Sequence, residues 1–289
     1  MSVSVLGVVG AGFMGTGIAE TAAIAGLHVI VYEPEDAPLT RSRLALEAAM
    51  VRSVERGRID REEATAILAR ITHTSALVDL AAADAVIEAI VEELEAKTEL
   101  FRALDEALPD VEFLASNTSS IPIAELAAAT TRPERVIGLH FFSPVPAMGL
   151  VEIVVALDTS EATQAAATVL AEELGKHPIA TKDRSGFIVN RLLVPYLMAA
   201  VRMYEEGFAT REDIDEGMVR GCGHPMGPLT LCDFIGLDVL FAVCNSLYEE
   251  FKQPEYAPPP LMKRMVAAGR LGRKTGRGFY DYSQSAVPA

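Results

Sequence analysis

The stretch Gly10-Ala11-Gly12-Phe13-Met14-Gly15 decides the fold, because it joins a short apolar run to a helical pattern. The run before it, residues 3–9, is typical of a buried β-strand, and residues 16–25 are typical of a helix. A second β-branched run, His28–Tyr32, ends at Glu33, 18 residues after Gly15. A strand, a glycine-rich turn, a helix and a second strand that ends in an acid form the pattern of a dinucleotide-binding unit.

Each position of this glycine-rich stretch has its own physical reason. Gly10 permits a tight turn, Gly12 lets the backbone approach a pyrophosphate, and Gly15 lets the helix pack against the strand. Phe13 and Met14 lie between these glycines and are assigned to the same cofactor loop. The Glu33 carboxylate can accept hydrogen bonds from both ribose hydroxyls and repels a 2′-phosphate, so we expect NAD rather than NADP. The alternative is a glycine-rich turn that binds nothing.

Short β-branched runs alternate with helical patterns in the first half of the chain, as in a parallel sheet. The further strands predicted are Ile71–Thr74, Ala85–Glu88, Phe113–Ser116, Val136–Phe141, Val151–Val155 and Pro178–Thr181. Two helices, at about 39–57 and 60–70, form a long excursion between the second and third strands. After residue 185 helical periods dominate.

The predicted fold is therefore α/β: a Rossmann-type doubly wound sheet followed by an all-α domain. We expect residues 1–185 to form the NAD-binding domain, with a helical insertion at about 39–70. Residues 186–289 then form a helical domain for dimerisation and substrate binding. A helical domain of this size often needs a partner surface to complete its core, so we expect a homodimer.

Composition excludes several classes of protein. The chain has 289 residues and a formal charge of -15, and a surface this acidic repels nucleic-acid backbones. No apolar run reaches the length of a membrane span, and the N-terminus does not resemble a signal peptide. Three cysteines without a CxxC pair are typical of reduced thiols in a cytoplasmic protein, so we predict neither a disulfide framework nor a metal site.

Three polar residues stand at the ends of predicted strands, where ligands bind in open α/β sheets. Ser119 follows the fifth strand, His140 ends the sixth, and Glu152 lies twelve residues later and could return beside the histidine. A histidine next to a carboxylate suits a general base for a hydroxyl proton. The alternative, equally supported by spacing alone, is a buried structural histidine between Leu139 and Phe141.

Five longer motifs identify a resemblance. They are Ser116-Asn117-Thr118-Ser119-Ser120, Gly138–Pro146, Gly186-Phe187-Ile188-Val189-Asn190-Arg191, His224-Pro225-Met226-Gly227-Pro228 and Gly276-Arg277-Gly278-Phe279-Tyr280. Together they resemble the short-chain L-3-hydroxyacyl-CoA dehydrogenases, and most closely the bacterial 3-hydroxybutyryl-CoA dehydrogenases. The resemblance spans nearly the whole chain. It implies NAD as cofactor, an acyl-CoA substrate and a homodimer made by the helical domain.

The resemblance also implies roles for individual residues. His140 would be the general base and Glu152 its orienting partner, while Ser119 and Asn190 would hydrogen-bond the C3 oxygen of the substrate. Glu92 and Lys97 match positions near the nicotinamide ribose. On the residues alone, Glu92 and Lys97 would be an ordinary exposed pair on a predicted helix, Glu92–Ala107, and Asn190 would lie on a helix surface.

Two positions depart from the pattern of the family. Asn is usual where this chain has Ser143, which we assign to the cofactor site, and a longer polar or basic residue is usual where it has Gly149. These departures bear on contacts near the nicotinamide and on the acyl chain that fits.

Residues 41–61 hold six arginines against three acids. Arg52 and Arg56 are four residues apart and share one face of the predicted helix. In the resembled family this excursion covers the nucleotide of coenzyme A, and arginine forks suit phosphate oxygens. Charge alone favours a solvated helix face instead.

The expected reaction is the NAD-dependent interconversion of (3S)-3-hydroxyacyl-CoA and 3-ketoacyl-CoA, with 3-hydroxybutyryl-CoA and acetoacetyl-CoA as the leading pair. Two alternatives stay open at the level of sequence. The same chemistry could act on a thioester of an acyl carrier protein, although an acidic carrier would be repelled by a chain of charge -15. A non-enzymatic dinucleotide-binding protein is the other.

Overall fold

The structure, a computed structural model, describes residues 3–283. The chain divides into two compact units, with the division between Arg184 and Ser185. The first unit combines a sheet with helices, and the second is helical.

One sheet of eight strands forms the centre of the first unit. The strands are β1 (Val5–Val9), β2 (His28–Tyr32), β3 (Ile71–Thr74), β4 (Ala85–Glu88), β5 (Leu114–Ser116), β6 (Val136–Phe141), β7 (Leu150–Val155) and β8 (His177–Lys182). Their order is β3-β2-β1-β4-β5-β6-β7-β8, and neighbours run parallel except β6 and β7. The doubly wound sheet predicted from the sequence is confirmed.

The chain leaves β1 towards one edge of the sheet and later returns to β1's other side as β4. This reversal opens a crevice beyond the carboxyl ends of β1 and β4, where ligands bind in such sheets. Gly10 and Ala89, the residues that follow these two strands, therefore lie at the edge of the sheet where the site was expected.

Six helices accompany the sheet. They are α1 (Phe13–Ile24), α2 (Asp36–Glu55), α3 (Arg61–Ala69), α4 (Leu94–Ala107), α5 (Ile123–Ala127) and α6 (Glu161–Glu173). Helix α1 begins at Phe13, three residues earlier than predicted, because Gly12 already has the extended backbone of a helix cap. Helix α4 begins at Leu94, so the predicted start at Glu92 is wrong and Glu92 lies in the preceding loop.

The core of the first unit lies between the sheet and its helices. Val8, Val29 and Ile87 from the strands pack with Ile18 and Ala22 of α1, and all five are almost inaccessible to solvent. Central strands of a parallel sheet are covered on both faces, which explains their continuous apolar runs.

The second unit contains α7 (Val189–Glu205), α8 (Arg211–Cys222), α9 (Pro228–Ile235), α10 (Leu237–Phe251) and α11 (Pro260–Ala267). These helices enclose a core of their own, which includes Leu197, Leu229, Cys244 and Met262. Of the three free cysteines, Cys232 and Cys244 are buried in this unit and Cys222 is exposed. Within residues 3–283 no single helix is long and apolar enough to span a membrane; α9 and α10 meet that standard only as a pair bent by 98°.

Candidate active site

The glycine-rich loop has the geometry that each glycine was expected to provide. Gly10 has a φ of +101°, and a Cβ there would lie 2.6 Å from the backbone oxygen of Ala89. A Cβ on Gly15 would lie 1.9 Å from the oxygen of Gly10, so α1 can approach the turn only because position 15 is glycine. A Cβ on Gly12, in contrast, would meet no atom within 4 Å. The open space above Gly12 suits a pyrophosphate that approaches the backbone.

Glu33 reaches back to this loop from the end of β2. Its Oε2 accepts a hydrogen bond from the backbone N–H of Ala11 at 3.3 Å. The carboxylate therefore lies at the glycine-rich turn, where it can accept from ribose hydroxyls. Phe13 is 70% exposed at the start of α1, whereas Met14 packs partly against the core. The loop therefore fits the expected dinucleotide in two respects. Glu33 offers an acceptor for ribose hydroxyls, and the backbone at Gly12 is open to a pyrophosphate.

A buried acid that sequence reasoning missed lies at the end of β4. Glu88 is fully buried and receives three hydrogen bonds: Ile90 N at 2.7 Å and Lys97 Nζ at 2.6 Å on Oε1, and Ser116 Oγ at 2.6 Å on Oε2. Ser116 is its partner in the pairing of β4 with β5. A signal was present in the sequence, since a strand as apolar as Ala85-Val86-Ile87 rarely ends in an acid without a buried partner.

The exposed pair expected from Glu92 and Lys97 alone is wrong for Lys97, whereas Glu92 is exposed as expected. Lys97 is 1% exposed, and its ammonium lies 2.6 Å from Glu88 and 3.1 Å from Glu92. The reason is the register of α4, whose apolar face carries Lys97 inward together with Phe101 and Leu104. An ammonium buried this deeply needs carboxylate partners, and it has two.

Glu92 holds the loop that follows β5. Its Oε1 accepts from Thr118 Oγ1 at 2.5 Å and from the backbone N–H groups of Ser119 at 3.0 Å and Ser120 at 3.2 Å. Burial opposes ionisation of Glu92, but the ammonium of Lys97 and these hydrogen bonds outweigh it, so the pKa of Glu92 lies below its usual value. Glu92 is therefore an anion bound to the backbone of Ser119.

His140 and Glu152 are brought together by the antiparallel pairing of β6 and β7. They are direct cross-strand partners, and 2.7 Å separates His140 Nδ1 from Glu152 Oε2. Both side chains are buried, at 6% and 0% exposure. A carboxylate only accepts hydrogen bonds, so Nδ1 carries the hydrogen in this contact. The structure thus confirms the expected position of Glu152 beside His140.

Asn117, which directly follows β5, binds the end of β6: its Oδ1 accepts a hydrogen bond from the backbone N–H of Phe141 at 2.9 Å. This bond joins the Ser119 loop to the carboxyl end of β6. The ring of Phe142 lies beside the imidazole of His140, with 4.6 Å between ring centroids. The predicted residues Ser119, His140 and Glu152 thus share one edge of the sheet.

Ser143 and Gly149 lie in the connection between β6 and β7, and both are exposed. Lys176 holds this connection, because its buried ammonium donates to the backbone oxygens of Val145 at 2.7 Å and Met148 at 2.9 Å. A Cβ on Gly149 would meet no atom within 4 Å. The connection is therefore fixed by its backbone, and glycine at position 149 is not required for space.

The remaining predicted residues lie elsewhere. Arg52 is in the last turn of α2 and Arg56 immediately follows that helix; both are exposed. Burial raises the pKa of Glu20 on α1, and the Arg52 guanidinium opposes that rise. Asn190 belongs to the second unit, where it is the second residue of α7 and half-buried.

Comparison with known proteins gives the same family along the whole chain. The NAD-binding domain of 3-hydroxyacyl-CoA dehydrogenase matches residues 5–184, and the C-terminal domain of that enzyme matches residues 186–282. A 3-hydroxybutyryl-CoA dehydrogenase of Mycobacterium tuberculosis is 52% identical over 279 residues, which are 96% of this chain and 98% of the relative. The mitochondrial hydroxyacyl-coenzyme A dehydrogenase of Sus scrofa is 44% identical over 282 residues, 95% of this chain and 90% of the relative.

Solved structures agree. FadB2 of M. tuberculosis superposes with a TM-score of 0.96 at 51% identity, covering 98% of this chain and 100% of that one. The (S)-3-hydroxybutyryl-CoA dehydrogenase of Ralstonia eutropha superposes with a TM-score of 0.93 at 46% identity, covering 97% of this chain and 99% of that one.

Proposed function

The chain belongs to the 3-hydroxyacyl-CoA dehydrogenase family, and we propose that it interconverts (3S)-3-hydroxybutyryl-CoA and acetoacetyl-CoA. It is an NAD-dependent oxidoreductase by this membership. The observation that supports the reaction most directly is the buried pair of His140 and Glu152 at the edge of the sheet where ligands bind. The names of the M. tuberculosis relative at 52% identity and of the Ralstonia eutropha structure at 46% identity support the four-carbon substrate.

The cofactor would be held by the glycine-rich loop and Glu33. The backbone of Gly12 and the beginning of α1 would face its pyrophosphate, because the dipole of a helix N-terminus favours an anion. When bound, NADH supplies the hydride for C3 of a ketoacyl substrate. Ser143 lies in the connection after β6, Glu92 in the loop after β4, and Lys97 on α4; all three remain predicted contacts of the nicotinamide end.

In reduction His140 acts as the acid. Its Nε2 would donate a proton to the C3 oxygen while Nδ1–H remains bonded to Glu152. Glu152 would stabilise the imidazolium before the transfer and keep the ring oriented. In oxidation His140 takes the hydroxyl proton instead. Ser119 would hydrogen-bond the C3 oxygen, which orients it for the transfer. Asn190 remains a substrate contact that only the family resemblance implies.

We propose that the arginines after and within α2 bind the nucleotide of coenzyme A. Both side chains are exposed: Arg52 lies in the last turn of α2, and Arg56 directly follows that helix. Arginine forks match phosphate oxygens, and a basic group stands out in a chain of charge -15. The same charge disfavours the thioester of an acidic carrier protein as substrate.

We also propose a homodimer formed by the second unit. Leu192, Ala199 and Met203 lie seven and four residues apart on one face of α7, and all are exposed. Leu192 is 71% exposed and Phe208, just beyond the helix, is 78% exposed. Large apolar side chains exposed together mark an interaction surface, and a second copy would cover them.

The three cysteines, which form no disulfide, support a reducing, cytoplasmic location.

The test follows NADH absorbance with acetoacetyl-CoA, its pantetheine and carrier-protein thioesters, and longer 3-ketoacyl-CoAs. We expect acetoacetyl-CoA to give the highest kcat/KM. Arg56→Ala should raise KM for acetoacetyl-CoA but not for the pantetheine thioester, whereas Arg102→Ala, an exposed arginine on α4, should change neither. A higher kcat/KM with the carrier-protein thioester would overturn the coenzyme A assignment.

A further inference from the structure

Glu88 lies outside the mechanism described above, yet it has no access to solvent and is held on every side. Its Oε1 receives Lys97 and the backbone of Ile90, and its Oε2 receives Ser116, all within 2.7 Å. A fully buried carboxylate is costly, and a buried ion pair is weak evidence for stability because apolar residues of similar volume often replace it without loss. Stability alone therefore does not account for the buried ion pair of Glu88 and Lys97 at this strand end, which leaves room for another role.

Two chains of contacts lead from Glu88 to Ser119. In the first, Glu88 binds the ammonium of Lys97 at 2.6 Å, and Lys97 binds Oε2 of Glu92 at 3.1 Å. Glu92 Oε1 then accepts from Ser119 N at 3.0 Å. In the second, Ser116 Oγ donates to Glu88 and accepts from the backbone N–H of Thr118 at 3.2 Å, one residue before Ser119.

We propose that Glu88 is a positioning residue for the reaction: through Lys97 and Ser116 it holds the Ser119 loop in place for the substrate. The inference rests on the proposed function, in which Ser119 hydrogen-bonds the C3 oxygen. The charge of Glu88 keeps the ammonium of Lys97 shared between two carboxylates. Without the charge of Glu88, Lys97 has only Glu92 as a counter-ion and draws the Glu92 carboxylate away from Ser119.

The chain offers a matched control at the other end of α4. Asp105 is 8% exposed, is paired with Arg132 at 2.7 Å and accepts from Thr131, so it is also a buried, paired carboxylate. Asp105 lies in the last turn of α4, whereas the Ser119 loop lies near the beginning of that helix, where it is bound by Glu92. Asp105→Asn therefore removes a comparable buried charge without touching the Ser119 loop.

The experiment measures kcat and KM for 3-ketoacyl-CoA reduction, and the thermal midpoint, in Glu88→Gln, Asp105→Asn, Ser119→Ala and the double variant Glu88→Gln/Ser119→Ala. Both buried-charge variants should be less stable, but only Glu88→Gln should lose kcat, by at least about 10-fold. Because Glu88 acts through Ser119, the double variant should be no slower than Ser119→Ala alone.

Independent, multiplying losses in the double variant would overturn the proposal, as would an equal loss of kcat in Asp105→Asn. Should Glu88→Gln fail to fold, Ser116→Ala takes its place in the same cycle, because it breaks the second chain of contacts, from Glu88 through Ser116 to Thr118, and leaves the ion pair of Glu88 and Lys97 intact. The cycle is measured on whichever 3-ketoacyl-CoA the unaltered enzyme reduces. An unaltered enzyme that reduces none would contradict the proposed function instead, so the two failures are distinct.

Discussion

His140 and Glu152 face each other across the only antiparallel pair of the described sheet, with 2.7 Å between Nδ1 and Oε2. Their contact depends on backbone register, since cross-strand partners of an antiparallel pair have side chains on the same face. Two buried strands therefore fix the orientation of the imidazole. The acid–base role proposed for His140, in step with a hydride transfer, would gain from such rigid support.

Replacement of His140 by glutamine should remove most of kcat and leave NADH affinity near that of the unaltered enzyme. General acid–base catalysis contributes about 10²–10⁴-fold, so we expect a loss of at least about 100-fold. The glycine-rich loop belongs to other elements, so NADH fluorescence titration should change little. His177→Gln, an exposed histidine at the start of β8, is the control. Retention of more than about a tenth of kcat would exclude His140 as the acid–base.

Glu152→Gln tests the other half of the pair. The amide keeps the size of the side chain but loses the charge that stabilises the imidazolium, so kcat should also fall. In the proposed mechanism Glu152 acts through His140, so the double variant with His140→Gln should be no slower than His140→Gln alone. Multiplying losses would show that Glu152 acts on the substrate by a separate route.

The glycine-rich loop predicts a contrast between two alanine variants. Gly12→Ala introduces a methyl group where no atom lies within 4 Å, so the fold should persist while NADH affinity falls at least about 10-fold. Gly15→Ala places its Cβ 1.9 Å from the oxygen of Gly10 and should lower the thermal midpoint. Thermal unfolding beside NADH titration measures both. Unchanged NADH affinity in a folded Gly12→Ala enzyme would contradict the assignment of the loop.

Glu33 should set the choice between the two nicotinamide cofactors. Its carboxylate lies at the loop, bonded to the backbone of Ala11, and would repel a 2′-phosphate. Glu33→Ala should lower kcat/KM with NADH and raise it with NADPH, while Glu35→Ala, an exposed acid two residues later, should do neither. If the unaltered enzyme used NADPH as well as NADH, the role of Glu33 would be wrong.

Much of this architecture could be predicted from local patterns. The apolar runs and the glycine-rich turn placed all eight strands within a few residues, because buried parallel strands and glycine turns have strong local signatures. The proximity of His140 and Glu152 was also predictable, since only twelve residues separate them in the chain. A short connection between adjacent strands leaves few ways to bring such residues together.

The Glu88 network could not be predicted in the same way. Its partners Lys97 and Ser116 come from a helix and from another strand, and their meeting depends on the pairing of β4 with β5 and on the rotation of α4. Lysine is normally a surface residue, so local reasoning placed Lys97 in solvent. Burial of a charge is decided by tertiary contacts, which a pattern of neighbouring residues does not contain.

The lowered pKa of Glu92 should make the free energy of unfolding depend on pH in acidic solution. Its pKa is lower in the folded chain than its usual value of 4.5, because Lys97 and the Thr118–Ser119 loop outweigh the effect of burial. Between the two values the unfolded chain binds more protons at this site than the folded chain does. The contribution of Glu92 to stability is therefore fully present above about pH 4.5 and is lost as the pH falls through the lower, folded value.

Thermal midpoints of the unaltered enzyme and Glu92→Gln, measured from neutral pH downwards, check this expectation. The variant should unfold at a lower temperature at neutral pH, and the gap should close as the solution becomes more acidic than pH 4.5. Glu93→Gln is the control, because the neighbouring carboxylate is exposed and makes no capping bond to α4. A gap that stayed constant down to strong acid would mean that the Glu92 charge does not contribute, and that the loop around Ser119 is held by its remaining hydrogen bonds.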